Sequence, residues 1–261
     1  MFSPGLAECP NVRSFRAVFG RRTRDRLGVP VEVPQPLLHA AKWITSRPPA
    51  EIRAKATRPT IDEDIRKHPT RWIGDVTRTS ALGTLVDGAL AFALEDAALD
   101  RCRSIELRVH RDGSASVRHD GPGYDPQRAS RGMQRWPWLR TTCERELVLT
   151  KAVSAPVVTN ALSHWCRFEV STTRGVFSQA FYRGKPQCPI QRVGTLAADA
   201  PTQTLVRFRP DPGVFVGMSF ELDDLYMRGL GSLLELPGVR LIIVDERSQS
   251  EPLVIDGARL G

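Results

Sequence analysis

Apolar residues recur at helical spacing between residues 81 and 101. Leu82, Leu85, Val86, Ala89, Leu90, Ala93, Leu94 and Ala97 lie three or four positions apart, which predicts one long amphipathic helix. The period then drops to two. Ile105, Leu107 and Val109 alternate with polar residues, and so do Ala115 and Val117 beyond the turn dipeptide Asp112-Gly113, so a β-hairpin is expected. Residues 61–67 read as a short helix with Thr60 as its N-cap. Residues 147–163 read as helix in spite of Pro156. Strands are expected near 165–172, 175–182 and 204–209, then a helix around 221–235 and a last strand near 239–244. Residues 126–146, which include Trp136-Pro137-Trp138, follow no period. The order helix, hairpin, helix, strands, helix, strand predicts an α+β fold with a mixed sheet and helices on one face.

Residues 1–60 do not share this pattern. Arg13 to Arg26 is basic, Pro30, Pro34 and Pro36 interrupt regular structure, and Pro48-Pro49 ends a short amphipathic stretch at 37–46. Three segments are therefore expected: a basic, Pro-interrupted N-terminal extension over 1–60, a globular domain over 61–247, and a tail over 248–261.

Composition narrows the class. The chain has 261 residues, 41% of them apolar, enough for one substantial core. Its formal net charge is +8, which has two readings: solubility, or contact with nucleic acid or an acidic protein face. Five cysteines without a C-x-x-C pair argue against a zinc site or a disulfide framework. No apolar run has the length of a membrane span, and Asn11, Arg13 and Arg16 break any signal-peptide core, so a cytoplasmic protein with no membrane partner is expected.

Three blocks carry a resemblance. The first is Arg66-Lys67-His68-Pro69-Thr70-Arg71-Trp72-Ile73-Gly74-Asp75, continuing to Cys102. The second runs from Ile105 to Gly123, where Asp112-Gly113-Ser114-Ala115-Ser116-Val117 leads to Asp120-Gly121-Pro122-Gly123. The third runs from Val157 to Arg247 and holds Phe181-Tyr182-Arg183-Gly184-Lys185-Pro186 and Val206-Arg207-Phe208-Arg209-Pro210-Asp211. In order, they are similar to "VRKRPGMYIGD", "DGSVSVRDNGRGI" and later strings of the gyrase B ATPase domain, in the GHKL superfamily. Over about residues 64–247 the resemblance implies a Bergerat-type two-layer sandwich: a mixed, mostly antiparallel sheet, helices on one face, and a nucleotide held between them.

The same resemblance implies a damaged ATP site. The family's general-base Glu falls on Gly88, which has no side chain, and its magnesium-binding Asn falls on Phe92, which cannot bind a hard cation. The family's glycine lid falls on Leu149-Thr150-Lys151-Ala152-Val153-Ser154-Ala155, where no glycine remains to allow left-handed turns. The family Arg beside the glycine motif is Pro122, and a drug-contacting Arg falls on Ser178. On the adenine side, Asp120, Gly121 and Gly123 keep a D-G-x-G motif, and Thr204 falls where a family Thr backs the base.

The expectation is a pseudo-ATPase, catalytically inactive alone, that acts as an interaction or regulatory protein. It would use no cofactor and no magnesium, with at most weak ATP or ADP binding through Asp120, Gly121, Gly123 and Thr204. Its partner would be another protein, a second copy, or a gyrase-type subunit. One alternative is an ATP-hydrolysing subunit of a topoisomerase-like complex with a rearranged site, using Asp87, Glu95 or Asp96. Asp87 is one residue from the base position and so turned about 100° round the helix. The other alternative is a DNA-binding module that uses the Arg-rich surface.

Overall fold

The computed structural model describes residues 60–122, 155–197, 199–248 and 250–257. The extension expected over 1–60 (Thr60 apart), Gly123, Trp136-Pro137-Trp138 and the lid stretch through Ser154 lie outside them.

Helix α1, Ile61–Lys67, begins on a capping box: Glu63 N–H donates to Thr60 Oγ1, and Thr60 N–H donates to the Glu63 carboxylate at 3.1 Å. A short helix α2, Thr70–Ile73, precedes α3, Ser80–Ala98, the long helix that the apolar spacing predicts. Strands β1, Ser104–Val109, and β2, Ala115–His119, form the expected hairpin. Its turn places Gly113 at φ +77°, a conformation that a Cβ disfavours. Helix α4, Ala155–Leu162, carries Pro156 in its first turn, where proline is tolerated. Next come β3, Ser163–Thr172, β4, Gly175–Tyr182, and two short strands, β5, Lys185–Pro186, and β6, Gln191–Gly194. The chain then forms β7, Gln203–Pro210, helix α5, Leu222–Leu233, and β8, Arg240–Asp245. Within residues 248–261, Leu253–Asp256 forms a further strand, β9, antiparallel to β8.

The strands make one sheet in the order β5-β4-β3-β7-β2-β1-β8-β9, with β6 also on β4. Only the β1–β8 pair is parallel among the described strands. Directly paired residues face the same side, so register assigns the two faces. One face carries Ile105, Leu107, Val109, Val117, Val206, Phe208, Phe168, Val170, Leu241 and Ile243, all buried. Helices α3 and α5 cover it, and α4 packs against α3. This is an α+β sandwich with a mixed, mostly antiparallel sheet.

The other face carries Arg108, Ser116, Arg207 and Arg167 in one cross-strand row. Its cations have partners: Arg108 bridges Glu106 at 3.1 Å and Glu246 at 3.3 Å, Arg207 reaches Asp112 at 3.3 Å, and Arg167 pairs with Glu169. Arg207 also lies over the Trp165 ring, 5.7 Å from its centroid.

The first and third sequence blocks meet around one buried carboxylate. Arg66 Nη2, at the start of the first block, lies 2.5 Å from Asp211 Oδ2, and its Nη1 donates to the Ala161 carbonyl at 2.8 Å. Arg183 Nε reaches the same Asp211 oxygen at 3.0 Å. The Asp211 carboxylate is fully buried. Burial alone would raise its pKa, but the Gly213 amide and the two guanidinium groups hold it below the ordinary carboxylate value. This clasp ties α1 to α4 and to the loop after β7.

Candidate nucleotide site

Helix α3 sets the site, because Gly88 and Phe92 are one turn apart on its buried side. Gly88 faces α4 at very short range. A Cβ there would overlap Thr159 Oγ1 and lie 2.6 Å from the Ala155 carbonyl oxygen. Thr159 Oγ1 donates to the Leu85 carbonyl at 2.9 Å, which locks the two helices in this approach. Gly88 is therefore a packing residue, and the volume of a longer side chain is already taken.

Phe92 is buried in the core, and its ring meets Phe168 edge-on at 5.6 Å between centroids; Phe168 meets Phe181 in the same way at 5.9 Å. An apolar aromatic ladder occupies the position that the resemblance assigns to a metal ligand. The residues present do not fit a magnesium ion. Among the described residues no group of three His, Cys, Asp or Glu is placed to hold a metal.

The nearby carboxylates are committed elsewhere. Asp87 pairs with Arg228, whose other nitrogens bind Asp224 Oδ2 at 2.8 Å and the Ser80 carbonyl at 2.8 Å. Burial raises the Asp87 pKa against the pull of Arg228. Gly83 makes this possible, since a Cβ there would overlap the Arg228 guanidinium. Asp96 Oδ1 accepts from Arg101 at 2.7 Å. Glu95 is exposed.

On the adenine side the structure redistributes the expected residues. Asp120 is exposed, and its Oδ1 accepts from the amides of Arg103 at 2.9 Å and Ser104 at 3.1 Å. Partial burial opposes ionisation there, but those amides and the Cys102 thiol outweigh it and lower the pKa. This carboxylate fastens the start of β1. Gly121 is buried, and a Cβ there would overlap Asp96 Oδ2 and come within 2.8 Å of His119 Nδ1. Gly123 lies outside the described residues. Thr204 is buried at the centre of the sheet, paired with His119 on β2 and Val170 on β3.

The side chain that accompanies Thr204 on the helix-covered face is thus His119, not Asp120. Sequence reasoning missed it, yet a signal was present. Set position by position on Asp112 onward, the string DGSVSVRDNGRGI lays its Asp on His119 and its Asn on Asp120.

No protein-family model matches the chain. It is 28% identical over 202 residues to the DNA gyrase B protein of Clostridium acetobutylicum, covering 71% of this chain and 30% of that protein. It is 32% identical over 194 residues to the B component of DNA topoisomerase 4 from Caulobacter vibrioides, covering 69% of this chain and 27% of that one. The fold matches the crystal structure of the 43K ATPase domain of Thermus thermophilus gyrase B in complex with an aminocoumarin. That match has a TM-score of 0.59 and 26% identity, and covers 75% of this chain and 51% of the other.

The chain is a distant homologue of the gyrase B ATPase domain. It spans about a third or less of the length of the curated relatives it matches. This gyrase-B-like domain keeps the GHKL sandwich, with Thr159 packed on Gly88 and Phe168 on Phe92. No helix among the described residues is long and apolar enough to cross a membrane.

Proposed function

We propose that this gyrase-B-like domain is a pseudo-ATPase that serves as an interaction or regulatory module in the cytoplasm. One observation carries the reading. Thr159 and Ala155 fill the space beside Gly88, so the position of the hydrolytic base is closed by packing as well as stripped of its side chain. Losing a general base alone costs about 10²–10⁴ in rate. Phe92 in the metal position removes the charge screening that phosphoryl chemistry needs. Neither magnesium nor ATP is then a resident cofactor. The partner is a second copy or a gyrase-type subunit that docks on the sandwich. Steady-state ATP hydrolysis by the full chain, with and without duplex DNA, tests the reading: no turnover above background supports it, and sustained turnover overturns it.

The rearranged-enzyme alternative is disfavoured by the ion pairs of Asp87 with Arg228 and Asp96 with Arg101. A DNA-binding role has one observation behind it. Residues 1–60 contain eleven Lys and Arg against four Asp and Glu, a surplus of seven within the chain's net +8. This reading expects duplex DNA binding that weakens steeply with salt and disappears on removal of residues 1–60. Binding that ignores salt argues against it.

A further inference from the structure

The open face of the sheet brings together three side chains that have no part in the nucleotide site. His110 follows β1, Ser116 lies on β2 and Glu246 follows β8. His110 Nε2 is 2.8 Å from Ser116 Oγ, and His110 Nδ1 is 3.1 Å from Glu246 Oε2. The backbone fixes this arrangement: His110 N–H donates to the Ser114 carbonyl at 2.8 Å, and Glu246 N–H donates to the Val109 carbonyl at 2.9 Å. Arg108 Nη1 holds the other carboxylate oxygen, Glu246 Oε1, at 3.3 Å.

The donor pattern follows from these contacts. A carboxylate accepts and cannot donate, so the proton of the neutral imidazole resides on Nδ1. Nε2 then presents its lone pair to Ser116, whose hydroxyl donates. Partial burial, and after it the nearby Arg207 charge, lower the His110 pKa against the pull of Glu246, so the ring is neutral near pH 7 and available as a base. A serine hydroxyl, an imidazole that can take its proton and a carboxylate that orients the imidazole are the parts of an acyl-transfer site, recognised by geometry and not by chain order.

The charge beside Ser116 sets the substrate. Register places Arg108 on β1 and Arg207 on β7 directly opposite Ser116. Ser116 is 6% exposed, whereas the Arg108 and Arg207 side chains are 32% and 36% exposed and border solvent on this face. Arg108 is held by Glu106 and Glu246, while the Arg207–Asp112 pair is solvent-exposed and weak, so Arg207 is the cation open to a substrate's negative charge. Strand β2 is paired along both edges, so a developing oxyanion also depends on guanidinium groups and not on spare backbone amides.

We propose that Ser116, His110 and Glu246 form a hydrolytic triad that cleaves carboxylic esters bearing an anionic group. The ester approaches from the open face, past the two guanidinium groups. Ser116 Oγ bonds to the acyl carbon while its proton passes to His110 Nε2. The ester C–O bond breaks, and the leaving alcohol takes that proton. Water then adds to the acyl carbon and gives a proton to Nε2. The bond to Oγ breaks, Ser116 recovers the proton, and the acid leaves. Glu246 is a positioning residue that acts through His110. The site lies on the sheet face opposite α3, so it stands or falls independently of the pseudo-ATPase reading.

The full chain is tested with p-nitrophenyl acetate, with the anionic p-nitrophenyl hydrogen succinate, and with a fluorophosphonate probe followed by peptide mass spectrometry. The probe is expected to label Ser116. Relative to the spontaneous rates, kcat/KM is expected to be at least about tenfold higher for the succinate ester, from its charge-assisted contact with Arg207. Ser116→Ala is expected to abolish labelling and hydrolysis, and Arg207→Gln to erase the preference. Glu246→Gln can turn an N–H toward Nδ1 and fix the wrong tautomer, so kcat is expected to fall at least about tenfold with KM unchanged. No label on Ser116 in the wild type, or hydrolysis unchanged in Ser116→Ala, overturns the proposal. If Ser116→Ala fails to fold, the site of labelling in the wild type decides. Equal hydrolysis of the two esters overturns the substrate class, and an unchanged kcat in Glu246→Gln overturns the triad.

Discussion

Thr159 Oγ1 occupies the place that a Cβ on Gly88 would take, while donating to the Leu85 carbonyl at 2.9 Å. The glycine and the threonine are one contact. The helices α3 and α4 approach to backbone distance at this point, and the hydroxyl satisfies itself within the gap. A carboxylate put back at Gly88 would first have to displace Thr159 and the Ala155 carbonyl.

Gly88→Glu is expected to destabilise the domain by about 3 kcal/mol or more, because overpacking and a buried unpaired carboxylate add. Gly88→Ala already meets the Ala155 carbonyl at 2.6 Å and is expected to cost about 1–3 kcal/mol. Urea denaturation followed by circular dichroism reads both. Wild-type stability in Gly88→Glu would show that the α3–α4 gap yields.

Phe92→Asn removes the ring that meets Phe168 and leaves a buried amide. A loss of about 3–5 kcal/mol is expected. No magnesium affinity is gained, and titration of the variant with magnesium alone measures this directly.

How much of this was legible in the sequence follows from the range of each signal. Helix α3 and the β1–β2 hairpin were legible because a local period encodes each of them. The Thr60 cap was legible because its partner Glu63 is three residues away. Gly88 and Phe92 were recognisable as substitutions, but not the reason for the glycine: Thr159 is 74 residues from the Leu85 carbonyl that it binds. The two Arg–Asp211 pairs were equally hidden, although the strings containing them are conspicuous. His119 escapes attention because Asp120 completes the familiar-looking D-G-x-G, and only strand register shows which of the two faces Thr204. Strand β9 is four residues long and follows a polar stretch, so its pairing with β8 had no local sign.

Arg66→Ala leaves the fully buried Asp211 carboxylate with Arg183 as its remaining cation and frees the Ala161 carbonyl. With Arg183 and the Gly213 amide still on the carboxylate, the loss is expected to cost about 1–3 kcal/mol. Arg66→Lys restores charge without the two-pronged geometry and is expected to recover only part of it. Thermal melts of the two variants check the order wild type, Lys, Ala.

One buried histidine, His119, and two half-buried ones, His110 and His164, set a pH dependence. Burial, the largest influence on each, lowers the pKa of His110, His119 and His164 below the ordinary value. The unfolded chain then binds protons first, near pH 6.5, so stability is full above that value and is lost as pH falls toward the folded-state pKa values. The lowered carboxyls of Asp112, Asp120 and Asp211 add a second loss at more acidic pH. Urea midpoints are expected to be flat from about pH 7 to 8 and to fall as the pH drops below about 6.5. His119→Gln should flatten the upper part of that decline, and an unchanged slope would assign it to the other two histidines.

The central claim, that packing has closed the phosphate half of this gyrase-B-like site, is tested most directly by titrating the full chain with ATP in the presence and in the absence of magnesium. Magnesium is expected to add nothing, with ATP binding weakly or not at all in both titrations. Tight, magnesium-dependent binding at one site per chain would contradict it.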